Sequence, residues 1–67
     1  MKIETEREDD GQWIAEVPDL PGVMVYGATE DAAIAKAKGL ALRVIADRFE
    51  HGEEVPEELA NLFAAPA

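Results

Sequence analysis

The chain has 67 residues, no cysteine and a formal net charge of −9 at pH 7, from fifteen acidic and six basic side chains. This length suits one domain near the lower limit for folding alone, and without cysteine neither a disulfide nor a thiolate metal site can add stability. The acidic charge argues against direct binding of nucleic acid, because that binding needs cationic side chains to replace counterions.

The remaining composition bounds the location and the assembly of the protein. No apolar run reaches the roughly 20 residues of a membrane helix, and the N-terminal MKIETERE lacks the apolar core of a signal peptide. We therefore expect a cytoplasmic protein with no membrane contact. Because so small a domain commonly gains stability by association, we also expect a homo-oligomer, either a dimer or a tetramer.

The first seventeen residues predict a β-hairpin. Polar and less polar residues alternate over residues 1–7, which is the period of a half-buried strand. Asp10 and Gly11 follow, and both tolerate the positive φ of a primed hairpin turn. Residues 13–17, WIAEV, are then expected to form a second strand antiparallel to the first.

The next stretch, VPDLPGV at residues 17–23, predicts a rigid turn. Pro21 presets φ and Gly22 supplies the positive φ of a type II turn. Pro18 removes a second backbone donor and pushes Val17 towards extended geometry. These prolines and the glycine are therefore predicted to be structural residues.

A third strand and a long helix complete the predicted core. Residues 23–27, VMVYG, are rich in residues that favour strands. The period then changes to that of a helix, with Thr29 as N-cap and an exit at His51 and Gly52. The predicted apolar stripe of this helix comprises Ile34, Ala37, Ala41, Val44, Ile45 and Phe49, flanked by Leu40 and Leu42.

Alternation along the strands divides their side chains between two faces of the sheet. The set expected to pack on the helix is Ile3, Ala15, Val17, Val23 and Val25. The opposite set is Ile14, Met24 and Tyr26. Because this second set is too apolar to leave exposed on three strands, we expect it to contact a partner.

The C-terminal segment predicts little regular structure. At Val55 we expect either a short fourth strand or a turn, and near Pro56 a weak helix begins. The tail AAPA should fray. The predicted fold is thus α+β, a β-β-β-α domain over residues 1–56 with a three-stranded antiparallel sheet packed on one long helix, followed by a short helix and tail over residues 57–67.

Candidate catalytic groups are few, and we expect no enzyme activity, cofactor or metal. The chain contains no serine and no glycine-rich phosphate loop. The lone histidine, His51, has no second histidine or cysteine as a co-ligand and is best explained by the helix end. The remaining candidate is a distant one, a metal-dependent nuclease that would use Asp9, Asp10, Glu16 and Asp19.

In order and content the chain resembles the N-terminal domain of the HicB antitoxin family. The matching elements are an acidic-glycine turn, an aromatic residue, an alanine, a Val-Pro-Asp-Leu-Pro-Gly loop, a glycine, and a threonine with an acidic residue that opens the helix. In this sequence they are Asp10-Gly11, Trp13, Ala15, residues 17–22, Gly27, Thr29 and Glu30. The resemblance covers about residues 1–56, and VPDLPG is its most specific part.

The resemblance implies a partial ribonuclease-H-like fold without that enzyme's active site, which binds and neutralises a small basic mRNA-cleaving toxin, here called HicA-like. Family members usually also carry a C-terminal DNA-binding domain, to which the resemblance does not extend. The alternative is a homo-oligomeric scaffold or regulator that has no toxin. The candidate partner-binding residues are Ile14, Met24, Tyr26, Glu53, Glu54, Glu57 and Glu58.

Overall fold

The chain folds into a three-stranded antiparallel sheet followed by one long helix, which confirms the predicted α+β fold. The computed structural model of the protein describes residues 1–63. Its strands are β1 (Glu4–Arg7), β2 (Trp13–Glu16) and β3 (Met24–Gly27), and its helices are α1 (Glu30–Glu50) and α2 (Glu57–Ala60). None of the helices in this range combines the length and the apolar character that a membrane span requires.

The strand register decides which side chains share a face. Ala15 lies opposite Thr5 and Val25 and is fully buried. Ile14, one residue earlier, lies opposite Tyr26 and points to the other side, since successive strand residues alternate. Helix α1 contacts all three strands and covers the face of Ala15. We call this the inner face, and the opposite one the outer face.

The buried core joins the inner face to the helix. Ala15, Val17 and Val23 are buried as predicted, while Ile3 and Val25 are half-buried and pack against the core. The complete set of buried apolar residues is Ala15, Val17, Leu20, Val23, Ala33, Ala37, Ala41 and Ile45.

Helix α1 presents a line of small side chains to the sheet. Ala33, Ala37 and Ala41, with Ile45 one turn later, are buried and share one side of the helix. The predicted stripe was wrong in part, because it omitted Ala33 and included Phe49, which is 39% exposed. Helix α1 has 21 residues that rise about 1.5 Å each, whereas each strand has only four residues that rise about 3.3 Å each. The helix is therefore longer than the strands, and its last turns extend beyond the sheet.

The hairpin between β1 and β2 closes through three residues, Asp9 to Gly11. The Glu8 amide donates to the Gln12 carbonyl (2.7 Å), and the Gly11 amide donates to the Glu8 carbonyl (2.9 Å). Gly11 has φ 90°, and Asp10 has no positive φ. The expected pair of positive φ values is therefore wrong, because a type I turn followed by one left-handed residue also closes a hairpin.

The loop of residues 17–23 consists of two successive turns. The Leu20 amide donates to the Val17 carbonyl (2.9 Å), and the Val23 amide donates to the Leu20 carbonyl (3.0 Å). Gly22 has φ 91°, as the third position of a type II turn requires. Each turn has a proline at its second position, where the fixed φ of proline is favoured: Pro18 and Pro21.

Leu20, which both turns share, has a fully buried side chain. Val17 and Val23 bracket the loop, are joined by a hydrogen bond of 3.0 Å, and are also buried. These three are the largest fully buried side chains among the described residues. The loop therefore forms part of the core in addition to turning the chain.

Both ends of α1 are capped. Thr29 has extended geometry, and its hydroxyl accepts a first-turn backbone amide at 3.1 Å. At the other end Gly52 has φ 68°, and its amide donates to the Phe49 carbonyl (3.3 Å). The Glu53 amide donates to the Arg48 carbonyl (2.8 Å), which completes a Schellman motif. The helix therefore ends where the histidine-glycine pair predicted.

The segment after α1 is irregular up to α2. Residues 53–56 form neither a strand nor a turn, so both alternatives predicted at Val55 are wrong. Pro56 follows directly and has no amide hydrogen to donate to a sheet. Helix α2 begins at Glu57, and its Leu59 packs against the core. The tail expected to fray, residues 64–67, lies outside the described range.

Candidate partner-binding surface

The outer face gathers the three apolar residues that were predicted to contact a partner. Ile14 lies directly opposite Tyr26, and Met24 follows on the same face of β3. Met24 and Tyr26 are each 50% exposed, and Ile14 is half-buried. Among the described elements only α1 packs on the sheet, and it covers the inner face. The apolar group therefore remains open to solvent.

Carboxylates flank this apolar group. Glu16 lies opposite both Glu4 and Met24, so two glutamates face each other across β1 and β2. Glu6 lies opposite Ile14. Like charges directly opposite each other destabilise a sheet, so the register places repulsion beside the apolar group. A cationic side chain from a partner would relieve that repulsion.

Further acidic side chains stand at the hairpin end of the same surface. Glu8, Asp9 and Asp10 line a shallow depression with Tyr26. Thus the outer face is an apolar centre with acidic groups at both ends. Strand alternation places Glu4 and Glu6 on this face, but the partner-binding prediction did not include them and named only C-terminal glutamates.

The predicted C-terminal glutamates lie elsewhere. Glu57 and Glu58 share a groove with Asp19 of the proline loop, and a Glu58 carboxylate oxygen lies 3.2 Å from the Met1 amino group. Glu53 and Glu54, also exposed, follow the end of α1. The structure therefore brings Ile14, Met24 and Tyr26 together and places the four glutamates Glu53, Glu54, Glu57 and Glu58 at a second, separate acidic region.

The proline loop positions the outer face without contributing to it. Pro18, Pro21 and Gly22 are exposed, while Val17, Leu20 and Val23 are buried. Because the loop is anchored by Leu20 in the core, β3 starts at a fixed point. The orientation of Met24 relative to Ile14 is thereby set by the fold.

The four acids of the nuclease hypothesis are dispersed. Asp9 and Asp10 belong to the hairpin turn, Glu16 lies at the far end of β2, and Asp19 lies in the proline loop. Within residues 1–63 they do not form a group with metal-ligand spacing.

One cluster has the side chains of a metal site. Ligand atoms of Asp47, His51 and Glu53 lie within 4.8 Å of one another, and all three residues are exposed. His51 Nδ1 lies 2.8 Å from the backbone carbonyl oxygen of Asp47 and 3.3 Å from the side-chain carboxylate of Asp47. These contacts belong to the capped end of α1, where a histidine also interacts well with the helix dipole.

Comparison with known proteins gives one distant relative. Over 55 residues the chain is 29% identical to UPF0150 protein Ta0767 of Thermoplasma acidophilum. The matched segment covers 82% of this chain and 80% of that protein. That name states no activity, ligand or partner. No protein-family model matches the chain, and no solved structure matches it.

Proposed function

We propose that this protein is a HicB-like antitoxin module, which binds and neutralises a small basic mRNA-cleaving toxin by protein-protein contact. The observation on which this rests is the outer face, where Ile14, Met24 and Tyr26 are open to solvent between carboxylates. Apolar centres with polar rims are typical of protein-protein interfaces. The proposal assigns the protein no catalytic activity and no cofactor.

The charge of the surface favours a basic partner. The chain has a net charge of −9, and the glutamates of the outer face repel one another in register. A toxin that cleaves mRNA needs a cationic surface to hold phosphates. Carboxylates that cover this surface would both neutralise it and speed the encounter. A toxin acting on mRNA also fits a cytoplasmic location.

The test is co-expression with the product of the adjacent gene, followed by pull-down and an RNA cleavage assay. We expect a short basic protein to co-purify and its cleavage of RNA to be suppressed. Ile14→Asp should weaken suppression strongly, since it places a charge at the apolar centre. Leu42→Asp is the matched control, because Leu42 is 68% exposed on α1, away from the outer face.

The outcomes separate the proposal from its alternatives. If Ile14→Asp and Leu42→Asp suppress RNA cleavage as well as the parent, the outer face is not the binding surface. If no basic neighbour is encoded or retained, the antitoxin proposal is wrong. Should the protein itself cleave RNA with magnesium present, the nuclease hypothesis replaces it.

A second candidate is a homo-oligomeric scaffold or regulator without a toxin. The same apolar group favours it, because the exposed Met24 and Tyr26 and the half-buried Ile14 on one sheet face can also pair with those of another copy. We expect the isolated protein to be at least a dimer by light scattering at micromolar concentration. A monomer mass there would contradict both the scaffold and the expected self-association.

A further inference from the structure

The two free edges of the sheet differ in charge. Strand β1 has three charged residues among its four, Glu4, Glu6 and Arg7, whereas β3 has none. An edge strand without charge invites pairing with another strand, and charged side chains hinder it. The β3 edge is therefore the one that needs protection from a second copy of the chain.

The register identifies the backbone groups on that edge. The Val17 amide donates to the Val23 carbonyl at 3.0 Å, so this pair is hydrogen-bonded. Hydrogen-bonded pairs alternate along an antiparallel ladder. Val25 therefore bonds to β2, and the backbone groups of Met24 and Tyr26 point to the open edge.

Two of these groups already have partners within the chain. Lys36 Nζ donates to the Tyr26 carbonyl at 3.3 Å. The Met24 amide donates to the Gly22 carbonyl at 3.1 Å. An antiparallel strand that paired with Met24 and Tyr26 would need the Tyr26 carbonyl and the Met24 amide. Lys36 also brings a charged ammonium group from α1 to an edge that lacks charge.

We propose that Lys36 closes the β3 edge against strand addition by a second copy of this chain. The turn at Gly22 assists by holding the Met24 amide. Partners are then directed to the outer face. The inference is independent of which partner the outer face binds, since it concerns the edge alone.

The experiment compares Lys36→Met with Lys38→Met, each in an Ile14→Asp background that removes association through the outer face. Both changes remove one lysine from the exposed side of α1, but Lys38 lies in the groove of Met1 and Ile3. We expect Lys36→Met to double the weight-average mass in sedimentation equilibrium at high concentration. Lys38→Met should keep the mass of the background protein.

Hydrogen exchange identifies the surface used. On association of the Lys36→Met protein, the Tyr26 amide should gain protection, and Lys36→Arg, which keeps a donor, should behave as the Lys38→Met control. Equal masses for Lys36→Met and Lys38→Met would overturn the proposal, as would association without protection of Tyr26. If Ile14→Asp does not fold, Lys36→Met and Lys38→Met are made in the parent protein, and hydrogen exchange of the Tyr26 amide is compared between them. Equal protection of that amide in the two variants overturns the proposal.

Discussion

Gly27 at the end of β3 lies against the backbone of Ala33 in the first turn of α1. A Cβ placed on Gly27 would be 2.5 Å from the Ala33 nitrogen and 2.8 Å from its Cα. Both residues are fully or almost fully buried. The glycine therefore sets how closely the helix packs on the sheet, and a larger residue must separate the two elements.

Gly27→Ala should consequently destabilise the protein by about 1–3 kcal/mol or prevent folding, as overpacking of a core does. The clash is with backbone, which cannot move aside as a flexible side chain can. Urea unfolding followed by circular dichroism measures the change. An unchanged midpoint would show that helix and sheet can separate at no cost.

Gly22→Ala and Gly39→Ala should have opposite effects. Gly22 has φ 91°, where an alanine Cβ is strained at about 1–2 kcal/mol, although no atom lies within 4 Å of it. Gly39 lies within α1 and has no positive φ, and a Cβ added there would have no atom within 4 Å. Alanine should therefore stabilise the helix by up to about 1 kcal/mol. Thermal melts would contradict this if the two variants melted together.

Leu20→Ala tests whether the proline loop belongs to the core. Leu20 is fully buried, and loss of a buried leucine costs about 2–5 kcal/mol. Leu42→Ala makes the same chemical change at a residue that is 68% exposed, and should cost little. Similar unfolding midpoints for the two variants would mean that the loop only connects the strands.

The sequence was sufficient for the order and type of the elements, because each depends on local signals. Alternation placed Ile14, Met24 and Tyr26 on one face, and the register agrees. Burial of Leu20 could not be predicted in the same way. Its neighbours are turn residues, and only the meeting of two turns directs its side chain inward.

Long-range packing explains the other differences. The close approach at Gly27 depends on where α1 crosses β3, which no local pattern contains. Phe49 continues the helical stripe, yet the short strands leave no sheet for it to cover. Lys36 and Tyr26 are ten residues apart in the chain, and they likewise come close only when the helix packs on the strand.

The last prediction asks which acidic region meets a basic partner. Two triple charge reversals are compared: Glu4, Glu6 and Glu16 to lysine on the outer face, and Glu53, Glu54 and Glu57 to lysine in the C-terminal region. Glu58 is left unchanged because it pairs with Met1 at 3.2 Å. Both variants change the net charge equally, so long-range attraction falls equally. Folding should survive, since exposed charges contribute little each.

We expect both triples to slow association with the co-purifying toxin and to weaken its salt dependence, because rim charges act mainly on the association rate. The outer-face triple should also speed dissociation, since Glu6 lies opposite Ile14 and Glu16 opposite Met24, beside the apolar centre. Stopped-flow association and surface-based dissociation measure the two rates. Faster dissociation of the C-terminal triple alone would move the binding surface to the region of Glu57 and Asp19, and unchanged rates for both would show that neither region faces the partner.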